Sequence, residues 1–293
     1  MKITLKQLQV FVNTAKSESI SLGAEKCFIS QAAASMSLSQ LESMLDTTLF
    51  DRVGKRMKLN DNGQNLLAKA IRILDEVSEF ESFAVDNEHL SGKLIVGAST
   101  TLASYVLPKY LAQFKQKYPD VELEIINGNT KEIIHQVEML GCDIGFVEGA
   151  CDSQVLDVEL WRKDNLKVFC SINHPLAKKK KVSIKDILKY EWVTREAGSG
   201  TFDIFYKELG KDAKNLKQLM VLNNSEAIKQ YVSHSDSLAC LSEAIVEGSP
   251  DIQKFKILKV EELDLSREFY LLLNKKKYHT NLTKAFSDFI HSV

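Results

Sequence analysis

The sequence has few of the features that mark an enzyme, a membrane protein or a metal-binding domain. Its 293 residues include no HExxH, GxSxG or GxxxxGK[ST] motif, and the six histidines are scattered, so no reactive constellation is visible. No apolar run is long enough to span a bilayer. We therefore expect a protein that is neither an enzyme nor a partner of membranes.

Cysteine is also sparse, and its spacing excludes the usual cysteine sites. The five cysteines form neither a CxxC pair nor a Cys/His cluster. We expect most of them to be small buried hydrophobic residues, and we expect no cofactor and no metal. Cys142 and Cys151 flank a predicted loop around Glu148, and this pair leaves a redox role open.

The chain starts in an amphipathic helix and shows no signal peptide. Leu5, Leu8, Val12 and Ala15 recur at helical spacing directly after the first residues. This start predicts a cytoplasmic protein. The length predicts two domains, or one large and one small domain.

Residues 20 to 45 have the pattern of a helix-turn-helix. Gly23 and Ala24 lie in the middle of a short helix, where small side chains let a second helix cross closely. Ser30 is a candidate N-cap, and a second helix follows from Gln31 with apolar residues at helical spacing. An ordinary helical hairpin with one polar face is the alternative interpretation.

The second helix and the stretch after it are predicted to contact DNA. The helix offers hydrogen bonds and one apolar contact to base edges through Ser30, Gln31, Ala32, Ser35, Met36 and Ser39. Residues 51 to 59 resemble a basic wing, in which Arg52, Lys55 and Arg56 would hold phosphates. Residues 1 to 60 carry eight cations against five anions, whereas the whole chain is at −1, so positive charge is concentrated at one end.

A long helical stretch separates this unit from the rest of the chain. Apolar residues from Leu66 to Ala84 alternate at spacings of four and three, which is the pattern of a heptad seam. The helix could pack on its own domain, but the seam favours a dimer. A dimer places two recognition helices on one duplex and predicts a partly palindromic site on double-stranded DNA.

From Gly92 the pattern changes to short apolar strands that alternate with amphipathic helices, which is typical of an α/β domain with a largely parallel sheet. The series occurs twice. We expect two lobes joined by crossing segments near residues 161–165 and 264–267. A cleft between the lobes is where a small ligand belongs.

The strand-to-helix junctions suggest what this cleft binds. Small hydroxyl or amide residues recur at predicted helix starts, where free N–H groups form an anion site. The candidate effector residues are Ser99, Thr100, Thr101, Asn129, Glu148, Arg195, Ser199, Gly200, Thr201 and Asn224. The hydroxyl and amide residues could be simple N-caps, and Arg195 could pair with the ligand or with Glu148.

Several motifs together resemble the LysR family of transcriptional regulators. They are Leu5-Lys6-Gln7-Leu8, Ser30-Gln31-Ala32-Ala33-Ala34-Ser35, Leu41-Glu42 and Leu49-Phe50-Asp51-Arg52. The chain departs from the family at Ala32, where proline is usual, and at residues 36–39, where arginine is common. Residues 143–149, 192–201 and 223–229 are similar to the YeiE-like branch, and the similarity covers nearly the full chain.

The resemblance implies a specific organisation. It implies an all-α winged helix-turn-helix domain (1–60), a linker and dimerisation helix (61–90), and a periplasmic-binding-protein-like α/β effector domain (91–293). Lobe I would comprise residues 91–162 and 267–293, and lobe II residues 163–266. Family members form homodimers and often homotetramers, and relatives linked to sulfur metabolism make sulfite or sulfate a candidate effector.

Two other functions share part of this pattern. A solute-binding component of a transporter would share the cleft, but it would need an export signal and no DNA-binding unit. A cysteine-based redox sensor of the same family is the main alternative, with Cys142 and Cys151 as its switch.

Overall fold

The computed structural model describes residues 3–53, 56–83, 90–149 and 151–293. The N-terminal part is helical, and a two-stranded antiparallel hairpin follows its third helix. Its elements are α1 Leu5–Ser17, α2 Ile20–Lys26, α3 Gln31–Leu45, β1 Phe50–Val53 and β2 Arg56–Leu59. Thr4, Ser19 and Ser30 cap the three helices, because each side-chain oxygen accepts a backbone N–H. The predicted helix-turn-helix and hairpin are both present.

The crossing of α1 and α2 depends on the small residue in the middle of α2. A β-carbon on Gly23 would lie 2.6 Å from Thr14 Oγ1 and 2.9 Å from Thr14 Cα. This contact confirms the prediction that a small side chain permits close approach. The helices enclose an apolar core that includes Val10, Phe11, Ala34, Leu38, Leu41 and Leu49.

The long helix α4, Asp61–Phe83, only partly packs on its own domain. Leu67, Ala70 and Ile71 are buried in the core of the N-terminal domain. Farther along, Ile73 is 44% exposed and Phe80 is 77% exposed in the single chain. The predicted end of the seam, Ala84, lies outside the described residues. In the described ranges, no helix is both long and apolar enough to cross a membrane.

Lobe I is built around a mixed sheet. Strand β3 pairs in parallel with β4 and β5, and the later strand β11 is antiparallel to both β5 and β6. The strands are β3 Gly92–Ser99, β4 Val121–Gly128, β5 Ile144–Glu148, β6 Leu156–Ser171 and β11 Ser266–Asn274. The helices are α5 Leu107–Lys117, α6 Thr130–Glu138 and α11 Asn281–Ser292. One π-helical turn, Leu102–Val106, precedes α5.

Lobe II shares β6 with lobe I. The second half of β6 pairs antiparallel with β9 and β10, whereas β7 and β8 form a parallel pair. The strands are β7 Glu191–Thr194, β8 Lys217–Val221, β9 Ala239–Ser242 and β10 Phe255–Leu258. The helices are α7 Ile184–Ile187, α8 Gly200–Leu209, α9 Ser225–Ser233 and α10 Glu243–Val246. An isolated bridge between Trp192 and Leu238 joins β7 to the rest of the lobe.

The predicted crossing segments at residues 161–165 and 264–267 are parts of the strands β6 and β11 or adjoin them, since β6 pairs with β11 up to Asn165 and with β9 from Leu166 on. The structure corrects two other expectations for this α/β part. Strand β10 was missed, and the seven-stranded sheet is mixed because β6 and β11 run antiparallel to their neighbours. Charged residues alternate with apolar ones in the first half of β6, which is the pattern of a strand with one solvated face.

A methyl group added at Gly23 should destabilise the N-terminal domain. Gly23→Ala places the β-carbon against Thr14 backbone atoms, which cannot move aside as a flexible side chain can. We expect a loss of about 1–3 kcal/mol in the free energy of unfolding, measured by urea denaturation of the full chain. The control Glu25→Ala changes an exposed residue of the same helix and should have little effect. Equal stability of the two variants would contradict the close crossing.

Candidate functional site

The N-terminal domain presents the start of α3 to solvent. Ala34, Leu38 and Leu41 hold the inner face of the helix in the core, and Ser30 Oγ accepts the Ala33 N–H at 3.2 Å. The predicted base-reading residues lie on the other side. Gln31, Ala32, Met36 and Ser39 are exposed and Ser35 is half-buried. The Gln31 side chain also accepts a hydrogen bond from Ser21 at 3.0 Å, which links α2 to α3.

The hairpin stands beside this helical unit and is tied to the end of α1. The Met57 N–H donates to the carbonyl of Glu18 at 3.0 Å, and Arg56 Nη1 lies 3.9 Å from Glu18 Oε2. Arg56 and Lys58 are exposed. Lys55 lies outside the described residues, as does the side chain of Arg52. The described part of the hairpin therefore carries two exposed cations beside the end of α1.

A polar cavity of about 700 Å³ opens between the two lobes. Its lining comes from strand-to-helix junctions of both lobes. Lobe I contributes Thr100, Ser104, Tyr105, Asn127, Gly128, Asn129 and Glu132, and lobe II contributes Glu196, Asn223, Asn224, Ser225 and Glu226. Asn129 caps α6 and Asn224 caps α9. The cavity thus lies at the N-terminal ends of two helices, one from each lobe.

Several buried polar atoms at these junctions have no hydrogen-bond partner within the described chain. They are the hydroxyl oxygens of Ser99, Ser199 and Ser225 and the Nη1 atom of Arg195, and each residue is at most 2% exposed. Ser199 is the N-cap residue of α8, yet its side chain makes no capping hydrogen bond. A buried polar group without a partner costs free energy. Ser225 lines the cavity, and Ser99 and Arg195 adjoin the lining residues Thr100 and Glu196, so these donors indicate a place for a polar ligand. Two atoms of a buried ionic cluster between the lobes, Glu148 Oε2 and Arg267 Nη2, also have no partner in the described chain.

Arg195 does not pair with Glu148, in contrast to one of the two expectations. Its Nε and Nη2 atoms donate to the two carboxylate oxygens of Glu196, each at 2.9 Å. Glu148 instead lies 3.6 Å from the guanidinium of Arg267. The predicted pairing was wrong because Arg267, on β11, lies next to Glu148. The two residues are more than a hundred positions apart, so local sequence spacing does not predict this contact.

Arg267 lies at the centre of a buried ionic cluster between the lobes. Its Nε donates to Asp164 Oδ2 at 2.7 Å, and its Nη1 donates to Thr201 Oγ1 at 3.1 Å. Ser242 also donates to Asp164, at 2.8 Å, and Thr101 donates to Glu148 at 3.3 Å. The cluster joins both crossing strands to the start of α8. This buried cluster therefore holds β6 and β11 together where they pass between the lobes, and we call this region the hinge.

Two further contacts cross from lobe I to lobe II near the cavity. The Tyr105 hydroxyl, on the π-helical turn, donates to Glu226 Oε1 at 2.6 Å. Burial and this hydrogen bond raise the pKa of Tyr105, so the phenol stays protonated. Deeper in the cleft, the Gly200 N–H donates to Thr130 Oγ1 at 3.3 Å. A β-carbon on Gly200 would overlap the Glu148 side chain, so this close approach requires glycine.

The structure brings the predicted effector residues to one region but to different depths. Thr100, Asn129 and Asn224 line the cavity. The remaining seven are buried around it and the hinge, namely Ser99, Thr101, Glu148, Arg195, Ser199, Gly200 and Thr201. The sequence reasoning missed Tyr105, Glu226, Asp164 and Arg267. The signal for the last pair was present, since both charged residues fall in the predicted crossing segments.

The thiols are poorly placed for redox chemistry. Burial raises the pKa of Cys142 to about 11 and that of Cys170 to about 12. Burial also raises the pKa of Cys240, and burial next to Glu138 and Asp152 raises that of Cys151. A raised pKa lowers the fraction of the thiol that is present as the reactive thiolate. In the described residues, no group of three or more His, Cys, Asp or Glu side chains could hold a metal ion.

These features define a class of protein. A winged helix-turn-helix with an exposed polar helix face meets DNA, and a two-lobed α/β domain with a polar cavity binds a small molecule. Together they define a ligand-responsive DNA-binding regulator.

Comparisons with known proteins identify the family. Residues 5–64 match the model of the bacterial regulatory helix-turn-helix protein, lysR family, and residues 87–293 match that of the LysR substrate binding domain. The chain belongs to the LysR family of transcriptional regulators, and it is therefore not an enzyme. It is 34% identical to the HTH-type transcriptional regulator YeiE of Escherichia coli K12, over 99% of this chain and 97% of that protein.

Solved structures show the same fold. A full-length OxyR variant from Pseudomonas aeruginosa, with one cysteine replaced, has a TM-score of 0.72 at 18% identity, over 99% of this chain and 98% of that one. The Synechocystis PCC6803 CcmR regulatory domain in complex with 2-PG has a TM-score of 0.64 at 25% identity, over 69% of this chain and 97% of that one.

The native protein should resist thiol oxidation. At a given pH, the shift of Cys142 from 9.0 to about 11 leaves about a hundredfold less thiolate than in an ordinary cysteine. We expect mild peroxide at neutral pH to leave the free-thiol count of the full chain unchanged, with all five cysteines reacting after denaturation. Reversible loss of two thiols in the native protein would instead support the Cys142–Cys151 switch.

Proposed function

We propose that this LysR-type regulator binds promoter DNA through α3 and the wing, and that a small anion in the cleft controls this binding. The observation that carries the proposal is the set of buried, unpartnered polar atoms of Ser99, Ser199, Ser225 and Arg195. All of them are groups that donate hydrogen bonds to an anion.

Helix geometry favours negative charge at the same place. The first turns of α6 and α9 border the cavity from the two lobes, and the start of α8 contacts that of α6, since the Gly200 N–H donates to Thr130 Oγ1. Free N–H groups and the helix dipole stabilise an anion at such ends. Because the Ser199 hydroxyl does not cap α8, it is available to donate to a ligand oxygen. The rim carboxylates have their own partners, since Glu196 binds Arg195 and Glu226 binds Lys229.

A sulfur oxyanion such as sulfite or sulfate is the proposed effector class. Its oxygens accept several hydrogen bonds at once, which suits a region with the unpartnered hydroxyls of Ser99, Ser199 and Ser225. This class is also the one that the resemblance to relatives linked to sulfur metabolism implies. The CcmR regulatory domain in complex with 2-PG supports a small-molecule effector for the corresponding domain of this chain.

The effector acts by changing the position of one lobe relative to the other. Ligand groups from both lobes surround the cavity, so an anion held by both favours the closed arrangement. It shifts the population only by its difference in affinity for the two arrangements, and DNA must change the anion affinity by the same factor.

The proposed organisation follows the domains expected from the sequence. Residues 1–60 bind DNA, residues 61–90 are the linker that contains helix α4, Asp61–Phe83, and residues 91–293 bind the effector. The lobes of the effector domain are 91–162 plus 267–293 and 163–266. The exposed Ile73 and Phe80 on α4 support a dimer, and pairs of dimers would form a tetramer. The partner DNA is a partly palindromic promoter site, and the site of action is the cytoplasm.

A thermal-shift screen of the full chain against sulfite, sulfate, thiosulfate and simple carboxylates tests the effector class. Binding to the native state at a hundredfold excess over Kd adds about 2.7 kcal/mol of stability. We expect a dose-dependent rise in Tm with one sulfur oxyanion. A shift with a carboxylate alone would move the proposal to another anion, and no shift with any anion would contradict anion control.

Two serine variants separate ligand contact from structure in that screen. Ser225→Ala removes an oxygen without a hydrogen-bond partner, so it should leave the stability of the free protein equal or higher and weaken anion binding by about tenfold, or 1.4 kcal/mol. Ser242→Ala is the matched control, because its oxygen bonds Asp164 and the Ala244 N–H. The control Ser242→Ala should lower the free energy of unfolding of the free protein. Unchanged anion affinity in Ser225→Ala would contradict the assigned site.

DNA binding should separate into a phosphate part and a sequence-reading part. Arg56→Gln should weaken binding to all DNA and reduce the slope of log K against log salt by about one. Gln31→Ala should mainly reduce the preference for the specific site by about 1–3 kcal/mol. Fluorescence anisotropy at several salt concentrations measures both, with Lys180→Gln in lobe II as the charge control. An unchanged salt slope in Arg56→Gln would contradict the wing assignment.

A further inference from the structure

Leu140 of the effector domain packs directly into the core of the DNA-binding domain of the same chain. Leu140 follows α6 and is 5% exposed. It belongs to the apolar core of the N-terminal domain, together with Phe11, Ala15 and Leu67. A residue of the ligand-binding domain therefore completes the core of the domain that meets DNA.

The neighbourhood of Leu140 connects it to the wing. A cavity of about 440 Å³ is bordered by the end of α1, by Arg56 of the hairpin and by the end of α6. The effector-domain side contributes His135, Gln136, Met139 and Gly141. The same surface of the N-terminal domain holds Glu18, whose carbonyl accepts the Met57 N–H of the wing. A displacement of Leu140 would therefore move both the end of α1 and the wing.

The loop that carries Leu140 is held in a defined shape. Leu140 has a φ of 59°, a conformation that non-glycine residues rarely adopt and that costs about 1 kcal/mol or more. The Gly141 N–H donates to the Gln136 carbonyl at 2.7 Å. Lys277 donates to the Cys142 carbonyl at 3.1 Å and to Asp143 Oδ1 at 2.6 Å. These contacts fix the side chain of Leu140 in its projecting position.

The other end of α6 is part of the effector cleft. Asn129 and Glu132 line the cavity, and Thr130 accepts the Gly200 N–H of lobe II. The helix itself is about 14 Å long and is packed tightly on the sheet of lobe I, because Ile133 and Val137 are fully buried. At Gly145 of that sheet, an added β-carbon would overlap Val137. Helix α6 and the sheet of lobe I therefore move as one rigid body.

We infer that Leu140 is a positioning residue that transmits the effector signal to the DNA-binding domain. When an effector changes the position of lobe I relative to lobe II, the domain docked on Leu140 moves with lobe I and changes the direction of α3 and the wing. This inference rests on the proposed control by an anion in the cleft. The contact at Leu140 would be a second connection between the two domains of one chain, in addition to helix α4.

Leu140→Asn tests the inference, because asparagine tolerates the positive φ while its amide is unsuited to the apolar core. Leu140→Met is the matched control, since it keeps the volume and the apolar character. The readout is the ratio of DNA Kd values without and with saturating sulfite, measured by anisotropy. Couplings of this kind are typically about 5- to 150-fold, and we expect a ratio below about twofold in Leu140→Asn and a retained ratio in Leu140→Met.

If Leu140 had only a structural role, Leu140→Asn would lower the free energy of unfolding without changing the ratio of DNA Kd values. Sulfite affinity in the absence of DNA should stay the same in both variants, since Leu140 does not line the cleft. A wild-type ratio in Leu140→Asn would overturn the inference. A ratio near one in the wild-type protein would contradict control by sulfite, and the relay of that signal with it.

Hydrogen exchange of the full chain without ligand tests the docking separately. We expect faster exchange at residues 15–19 and 135–143 in Leu140→Asn, with no change in α9. Unchanged exchange at both segments would overturn the docking, whatever the effector proves to be. Faster exchange together with a wild-type ratio near one would support the docking and reject control by sulfite.

Discussion

The two-lobed domain depends on the buried guanidinium of Arg267. It bonds Asp164 of the first crossing strand and Thr201 at the start of α8, and it lies beside Glu148 at the end of β5. Desolvating these charges is expensive, so such a cluster persists only when its hydrogen bonds are well placed. Ser242 and Thr101 supply two of them. The cluster fixes where the lobes meet, and the ligand cavity exists because the lobes meet there.

The helical N-terminal part was predictable from the sequence because its signals are local. Caps such as Ser30, the small residue Gly23 and the helical spacing of Ala34, Leu38 and Leu41 all act within a few residues. The α/β part was less predictable. The first half of β6 carries alternating charged residues, and its strand structure is fixed by pairing with β11, more than a hundred residues later.

The candidate site was partly predictable for the same reason. Hydroxyl and amide residues at strand-to-helix junctions are visible in a sequence, and Thr100, Asn129 and Asn224 line the cavity. The partners of charged residues are not visible. Arg195 binds its neighbour in the sequence, Glu196. Tyr105 and Glu226, in contrast, are far apart in the sequence, and only the folded chain brings them into contact. Local chemistry indicates which residues are available, and the topology determines which of them meet.

The continuity of β6 has a consequence for how this domain folds and evolves. The strand belongs to the sheets of both lobes without interruption, and β11 returns the chain to lobe I only after lobe II is complete. Lobe I therefore cannot complete its sheet until the last segment of the chain has been synthesised. The lobes are two halves of one cooperative unit, and neither can be exchanged by recombination at a single point of the chain.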